Sequence, residues 1–122
     1  MKDCIYVDLD GTLAEHHGWK GVDHIGKPIP AMMERVKRWI EEGHTVVIFT
    51  ARMGESGSFP HIKRWLREQG IDHLRVTNVK GMDAKEFWDD RAVAVERNTG
   101  KVLGGKTAHD ESWEDGARRA MK

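Results

Sequence analysis

Two aspartates, Asp8 and Asp10, close the apolar run Cys4-Ile5-Tyr6-Val7 and are followed directly by Gly11 and Thr12. Carboxylates delivered together from a strand end suit two kinds of chemistry. They can hold a cation, or they can divide nucleophilic and acid–base work between them. Left unneutralised they are costly: two carboxylates ~4 Å apart repel by roughly 4 kcal/mol at an effective dielectric of ~20. A plain turn or helix cap explains a single Asp better than such a pair. Further polar residues follow other apolar segments: Thr50 after Thr45–Phe49, Lys80 shortly past Thr77, and Asp89-Asp90 after Phe87-Trp88.

The elements that must position these residues alternate. Cys4–Val7 and Thr45–Phe49 are uninterrupted apolar runs, as expected of strands buried on both faces. Between them, residues 14–29 are polar and irregular, and Pro30 then opens a helix. Met32, Met33, Val36, Trp39 and Ile40 form its apolar face and Gly43 ends it. A second helix starts near Pro60, buries Ile62, Trp65 and Leu66, and stops at Gly70. Leu74–Thr77 and Phe87-Trp88 read as two further strands. Strand and helix in alternation predict an α/β fold with a parallel sheet in three layers, α/β/α. Ligands of such sheets bind beyond the carboxyl ends of the strands, where strand order reverses. Two acidic pairs serving one site must therefore leave neighbouring strands, which predicts the order 3-2-1-4. Ala92–Val95 and Val102-Leu103 flank Asn98-Thr99-Gly100, a hairpin expected to add an antiparallel edge. Glu111–Met121 is a candidate C-terminal helix.

Length and composition set the frame. The 122 residues suit one domain, with a core over 3–96 and a peripheral tail over 104–122. Lys+Arg and Asp+Glu each number 20, so no overall field recruits nucleic acid or an anionic membrane. With Cys4 the sole cysteine, no internal disulfide can form and a reducing compartment is expected. Little precedes the first strand, so no signal peptide is expected, and no apolar run nears the ~20 residues of a membrane span. The expectation is a cytoplasmic protein.

With these residues in place, the chain resembles the haloacid dehalogenase superfamily of phosphatases. Asp8-Leu9-Asp10-Gly11-Thr12 matches that family's first motif, Thr50 its second, Lys80 its third and Asp89-Asp90 its fourth. The intervals between motifs are too short for a cap domain, and the likeness is strongest to the small stand-alone capless members of bacteria and phages. The resemblance implies a Mg2+-dependent phosphomonoester hydrolase with an aspartyl-phosphate intermediate. Asp8 would be the nucleophile and Asp10 the acid–base. The Thr50 hydroxyl, with backbone N–H groups about Gly11 and Ala51, would hold phosphoryl oxygens. Lys80 would neutralise charge on Asp8 and the phosphoryl group. Magnesium would be held by the Asp8 carboxylate, the Asp10 carbonyl and one of Asp89 and Asp90, Asp90 being the direct ligand by analogy. Arg52, two residues past Thr50, is expected at the site entrance as a substrate contact.

Rival readings are separable. A polynucleotide 3′-phosphatase would use a phosphorylated nucleic-acid end as substrate, with Lys63, Arg64, Arg67 and Arg75 as its basic path, although a solvated helix face explains most of these. A receiver-type signalling domain shares the acidic cluster, Thr and Lys, but carries its phosphorylated Asp on the third strand; here the nucleophile-like Asp comes first. Otherwise the partner is a phosphorylated small molecule such as a nucleotide or sugar phosphate, with no membrane and with an oligomer left open. The loop with His16, His17, Trp19 and His24 lacks the ligand spacing of a zinc site. It is expected to lie over the cleft, or to be a solvated surface loop.

Overall fold

The computed structural model describes residues 2–104. Strand β1 (Cys4–Val7) is followed by α1 (Pro30–Glu41), β2 (Thr45–Phe49), α2 (Phe59–Glu68), β3 (Arg75–Thr77) and β4 (Glu86–Trp88). The four strands form a parallel sheet in the order β3-β2-β1-β4, the order that the two acidic pairs demand. Both helices stop where the sequence predicts. Gly43 and Gly70 take φ of 89° and 77°, a left-handed conformation that ends a helix at little cost in glycine.

Alternation along the strands separates two faces. Ile5, Val7, Val46 and Ile48 point to one of them, where Met33 and Val36 of α1 and Ile62 and Leu66 of α2 complete the core. Each fully buried Val, Ile or Leu adds about 1.5–3 kcal/mol relative to exposure. Two successive crossovers of one hand, stepping the same way along the sheet, place both helices on the same side. Tyr6, Phe49 and Phe87 point to the other face and contact one another, with ring centroids 5.1–6.0 Å apart. No helix of the described residues covers that face, because β3 reaches β4 through a loop rather than through a helix. The third layer expected from the sequence is thus not seen among the described residues, and the candidate helix Glu111–Met121 lies outside them.

The chain divides into two compact units, Met1–Asp90 and Arg91–Lys122. In the second, β5 (Ala94–Val95) and β6 (Val102–Leu103) pair antiparallel about a turn with Asn98 at φ 67° and Gly100 at φ 78°. The hairpin is present as predicted but makes a sheet of its own rather than an edge of the main sheet. No described helix is long and apolar enough to cross a membrane.

Candidate active site at the carboxyl ends of the strands

β1 lies between β2 and β4, and the chain reverses its direction across the sheet between β1 and β4. The residues leaving these two strands therefore share one crevice. The Asp8 N–H donates to the Trp88 carbonyl at 2.9 Å, extending the ladder by one residue and setting Asp8 beside Asp89 and Asp90. Carboxylate oxygens of Asp8, Asp89 and Asp90 lie within 4.8 Å of one another. Burial, then the charge of Asp89, a hydrogen bond with Asp90 and the charge of Asp90 push the Asp8 pKa up to about 8, opposed by the Leu9 N–H. A carboxyl so placed keeps its proton near neutrality unless a positive charge arrives. Among the described residues this is the one His/Cys/Asp/Glu group with metal-ligand spacing.

The turn after β1 is built to bring Asp90 close. Leu9 and Leu13 anchor it in the core, and the Leu9 carbonyl accepts from the N–H groups of Leu13 and Ala14 at 3.0 and 2.8 Å. Gly11 has φ +88°, and a Cβ there would lie 2.7 Å from Cγ and 2.8 Å from Oδ1 of Asp90. Gly11 thus makes room for a carboxylate. Thr12 holds that carboxylate: its hydroxyl donates to Asp90 Oδ1 at 3.0 Å and accepts the Asp90 N–H at 2.9 Å. Thr12 is a positioning residue that the sequence reading did not single out. The available signal was a polar residue closing the turn between two buried leucines.

Asp10 takes a different direction. Its carboxylate is not in the cluster but accepts from Arg52 Nε at 2.7 Å and Nη2 at 2.9 Å, with His16 Nδ1 3.8 Å from Oδ1. Arg52 is 4% exposed. Nη2 also donates to the His24 carbonyl at 2.7 Å, and Nη1 lies 3.5 and 3.4 Å from the Gly21 and Val22 carbonyls. The expected entrance position is corrected here: the guanidinium points inward, and the protein's own acceptors face all its donors. The cause is local. Thr50 caps the 3₁₀ turn Ala51–Gly54 by accepting the Arg52 N–H at 3.1 Å, and Ser58 Oγ holds the Arg52 carbonyl, which aims the side chain beneath the loop. Thr50 is itself buried at 2% exposure, while Ala51 is exposed.

Residues 14–29 form a tied loop rather than a loose one. Glu15 N–H donates to the Lys27 carbonyl, Trp65 Nε1 to the Gly26 carbonyl at 2.8 Å, and Arg64 Nη2 to the Asp23 carbonyl. Trp19 lies over the Arg52 guanidinium, 4.9 Å from Cζ to the ring centroid.

The structure does not bring Lys80 to the carboxylates. Its Nζ sits over Phe87, 5.1 Å from the ring centroid, on the sheet face opposite the helices. The loop that carries it is pinned by Asp83, which accepts from the Tyr6 hydroxyl at 2.7 Å and lies 3.5 Å from Arg75. The basic residues considered as a nucleic-acid path are also engaged locally. Lys63 donates to the Asp72 carbonyl, Arg64 meets His61, Arg67 pairs with Asp72, and Arg75 reaches Tyr6 and Asp83.

The sequence matches no family model and no curated protein. Among solved structures, it is similar to a conserved protein coded by a locus of Bacteroides thetaiotaomicron. The two share 26% identity over 85% of this chain and 84% of the other, with a TM-score of 0.57.

Proposed function

We propose that the protein is a phosphomonoester hydrolase of the haloacid dehalogenase type, acting through an aspartyl-phosphate on Asp8 with Mg2+ as cofactor. One observation carries the reading: three carboxylates crowd one strand end, with the Asp8 pKa pushed up to about 8 by burial and by the neighbouring Asp89 and Asp90. A hard divalent cation fits this all-oxygen donor set. The Asp8 and Asp90 carboxylates and the Asp10 carbonyl would hold it, with Asp89 alongside. When bound, it would bring Asp8 into its ionised form and offset charge on the phosphoryl oxygens.

The chain's own groups then have distinct tasks. Asp8 attacks phosphorus in line, forming the Oδ–P bond as the ester P–O bond breaks. Arg52 holds both Asp10 oxygens, so one of them must part from the guanidinium and take up a proton before Asp10 gives it to the departing oxygen. Asp10 then takes one from a water that attacks the phosphoryl group, releasing phosphate and restoring Asp8. The Thr50 hydroxyl and the N–H groups near Gly11 and Ala51 bind phosphoryl oxygens. Lys80 must leave Phe87 and turn toward Asp8 to contribute its charge. The finer fold assignment, a three-layer capless domain, and a cytoplasmic setting belong to the same proposal.

The test is hydrolysis of a panel of nucleotides, sugar phosphates and 3′- and 5′-phosphorylated oligonucleotides, with and without Mg2+, by the wild type and Asp8→Asn. Magnesium-dependent turnover lost in Asp8→Asn supports the reading. Absence of turnover, or equal activity in Asp8→Asn, contradicts it.

A further inference from the structure

A large aromatic side chain left half in solvent beside a candidate active site calls for a reason. Trp19 is 54% exposed, although its flat face would bury well in a core that accepts Trp65 and Trp39. Gly18 and Gly21, with φ of 104° and 103°, flank Trp19-Lys20 in a backbone conformation that side-chain-bearing residues rarely adopt. One face of the indole rests on the Arg52 guanidinium. That guanidinium is itself held by Asp10 and by the carbonyls of residues 21, 22 and 24, so the ring stands on a rigid base. With Arg52 under one face, the exposed part of the ring is its other face and edge.

The position matters because of what Asp10 does. In the proposed reaction Asp10 meets the leaving oxygen, so the organic part of the substrate lies on the Asp10 side of the phosphorus. Trp19 is joined to Asp10 through a single side chain, with Arg52 Nη2 2.9 Å from Asp10 Oδ1 and Cζ 4.9 Å from the indole centroid. An indole backed by a cation and open on its other face is a stacking surface for a planar heteroaromatic ring.

We propose that Trp19, supported by Arg52, selects phosphomonoesters whose leaving group carries a planar base, nucleoside monophosphates being the class. This deepens the hydrolase reading and rests on it for the identity of the leaving side. It concerns specificity rather than the chemical step.

The test compares adenosine 5′-monophosphate with ribose 5-phosphate, which differ only by the base, using the wild type, Trp19→Phe and Trp19→Ala. The wild type prefers the nucleotide in kcat/KM by at least tenfold. Trp19→Ala loses that preference, about tenfold or more and chiefly through KM, while ribose 5-phosphate turnover stays within about threefold. Trp19→Phe keeps most of the preference. Equal losses on both substrates would mean that Trp19 only shields the Arg52–Asp10 pair, and would overturn the proposal; so would a wild type that prefers ribose 5-phosphate. A calorimetric titration of the Asp8→Asn protein with the same two ligands separates the claims. Trp19-dependent binding of the nucleotide without any turnover in the wild type upholds the stacking surface and removes the hydrolase. Turnover with no Trp19-dependent binding does the reverse.

Discussion

Removing the Arg52 side chain should cost more stability than any single change among the loop residues it ties down. Arg52→Ala deletes two short bonds to Asp10, at 2.7 and 2.9 Å, and one to the His24 carbonyl at 2.7 Å. The contacts to the Gly21 and Val22 carbonyls, at 3.5 and 3.4 Å, add little. Breaking a buried ion pair by removing one partner costs about 3–5 kcal/mol, because the other charge is left behind. The Asp10 side chain is 18% exposed, so water can reach it and the lower end applies, about 3 kcal/mol. For a domain of this size that is a drop of about 12 °C in Tm. Arg52→Lys keeps the charge but not the planar fork, and should recover less than half of the loss. Urea unfolding of both variants, each also made in an Asp10→Ala background, is the assay. The loss should shrink by at least 1 kcal/mol in that background, since the pair is already broken. An Arg52→Ala protein within 1 kcal/mol of wild type, or an undiminished loss alongside Asp10→Ala, would mean that the Arg52–Asp10 pair does not hold this region together.

Gly11→Ala forces an L-residue into φ +88° and a methyl group onto the Asp90 carboxylate. It should lower stability by about 1–2 kcal/mol for the backbone, and calorimetry should show Mg2+ affinity falling at least tenfold. A protein of wild-type Mg2+ affinity would exclude Asp90 as a ligand. The raised Asp8 pKa sets two pH effects of fixed sign. Proton and cation compete for the same carboxylate, so Mg2+ affinity should fall by up to tenfold per unit as pH drops below about 8. In the absence of cation, Asp8 favours the folded state when protonated; that contribution is complete below the unfolded value and is lost as pH rises through about 8. Thermal unfolding in EDTA should therefore show wild-type stability declining from pH 5 to pH 9 more steeply than that of Asp8→Asn. Parallel pH profiles would contradict it.

Much of the fold was legible because its signals are local or forced. Uninterrupted β-branched runs marked the buried strands, Gly43 and Gly70 marked the helix ends, and the need to bring Asp8 beside Asp89 and Asp90 dictated the order β3-β2-β1-β4. What failed to show in the sequence depends on direction rather than identity. Arg52 stands two residues past Thr50 in either reading, but only the 3₁₀ turn, capped by Thr50 and closed by Ser58, turns it inward to Asp10. Lys80 has the right type and the right neighbourhood, yet the Asp83–Tyr6 bond fixes its loop on the aromatic face and sets its Nζ over Phe87. The hairpin was readable from Asn98 and Gly100, while its separation from the main sheet was not, since pairing partners are a tertiary choice. Thr12 escaped notice because a turn-forming Thr and one that grips a carboxylate look alike in a sequence.

The central claim, that Asp8 is the group that takes the phosphoryl, can be tested without knowing the substrate. Beryllofluoride binds a reactive aspartate as a mimic of its acyl phosphate, and 19F NMR reports the bound species directly. The wild type should show bound resonances that require Mg2+ and vanish in Asp8→Asn. Absence of a bound signal in the Mg2+-loaded wild type, or an unchanged signal in Asp8→Asn, would contradict it.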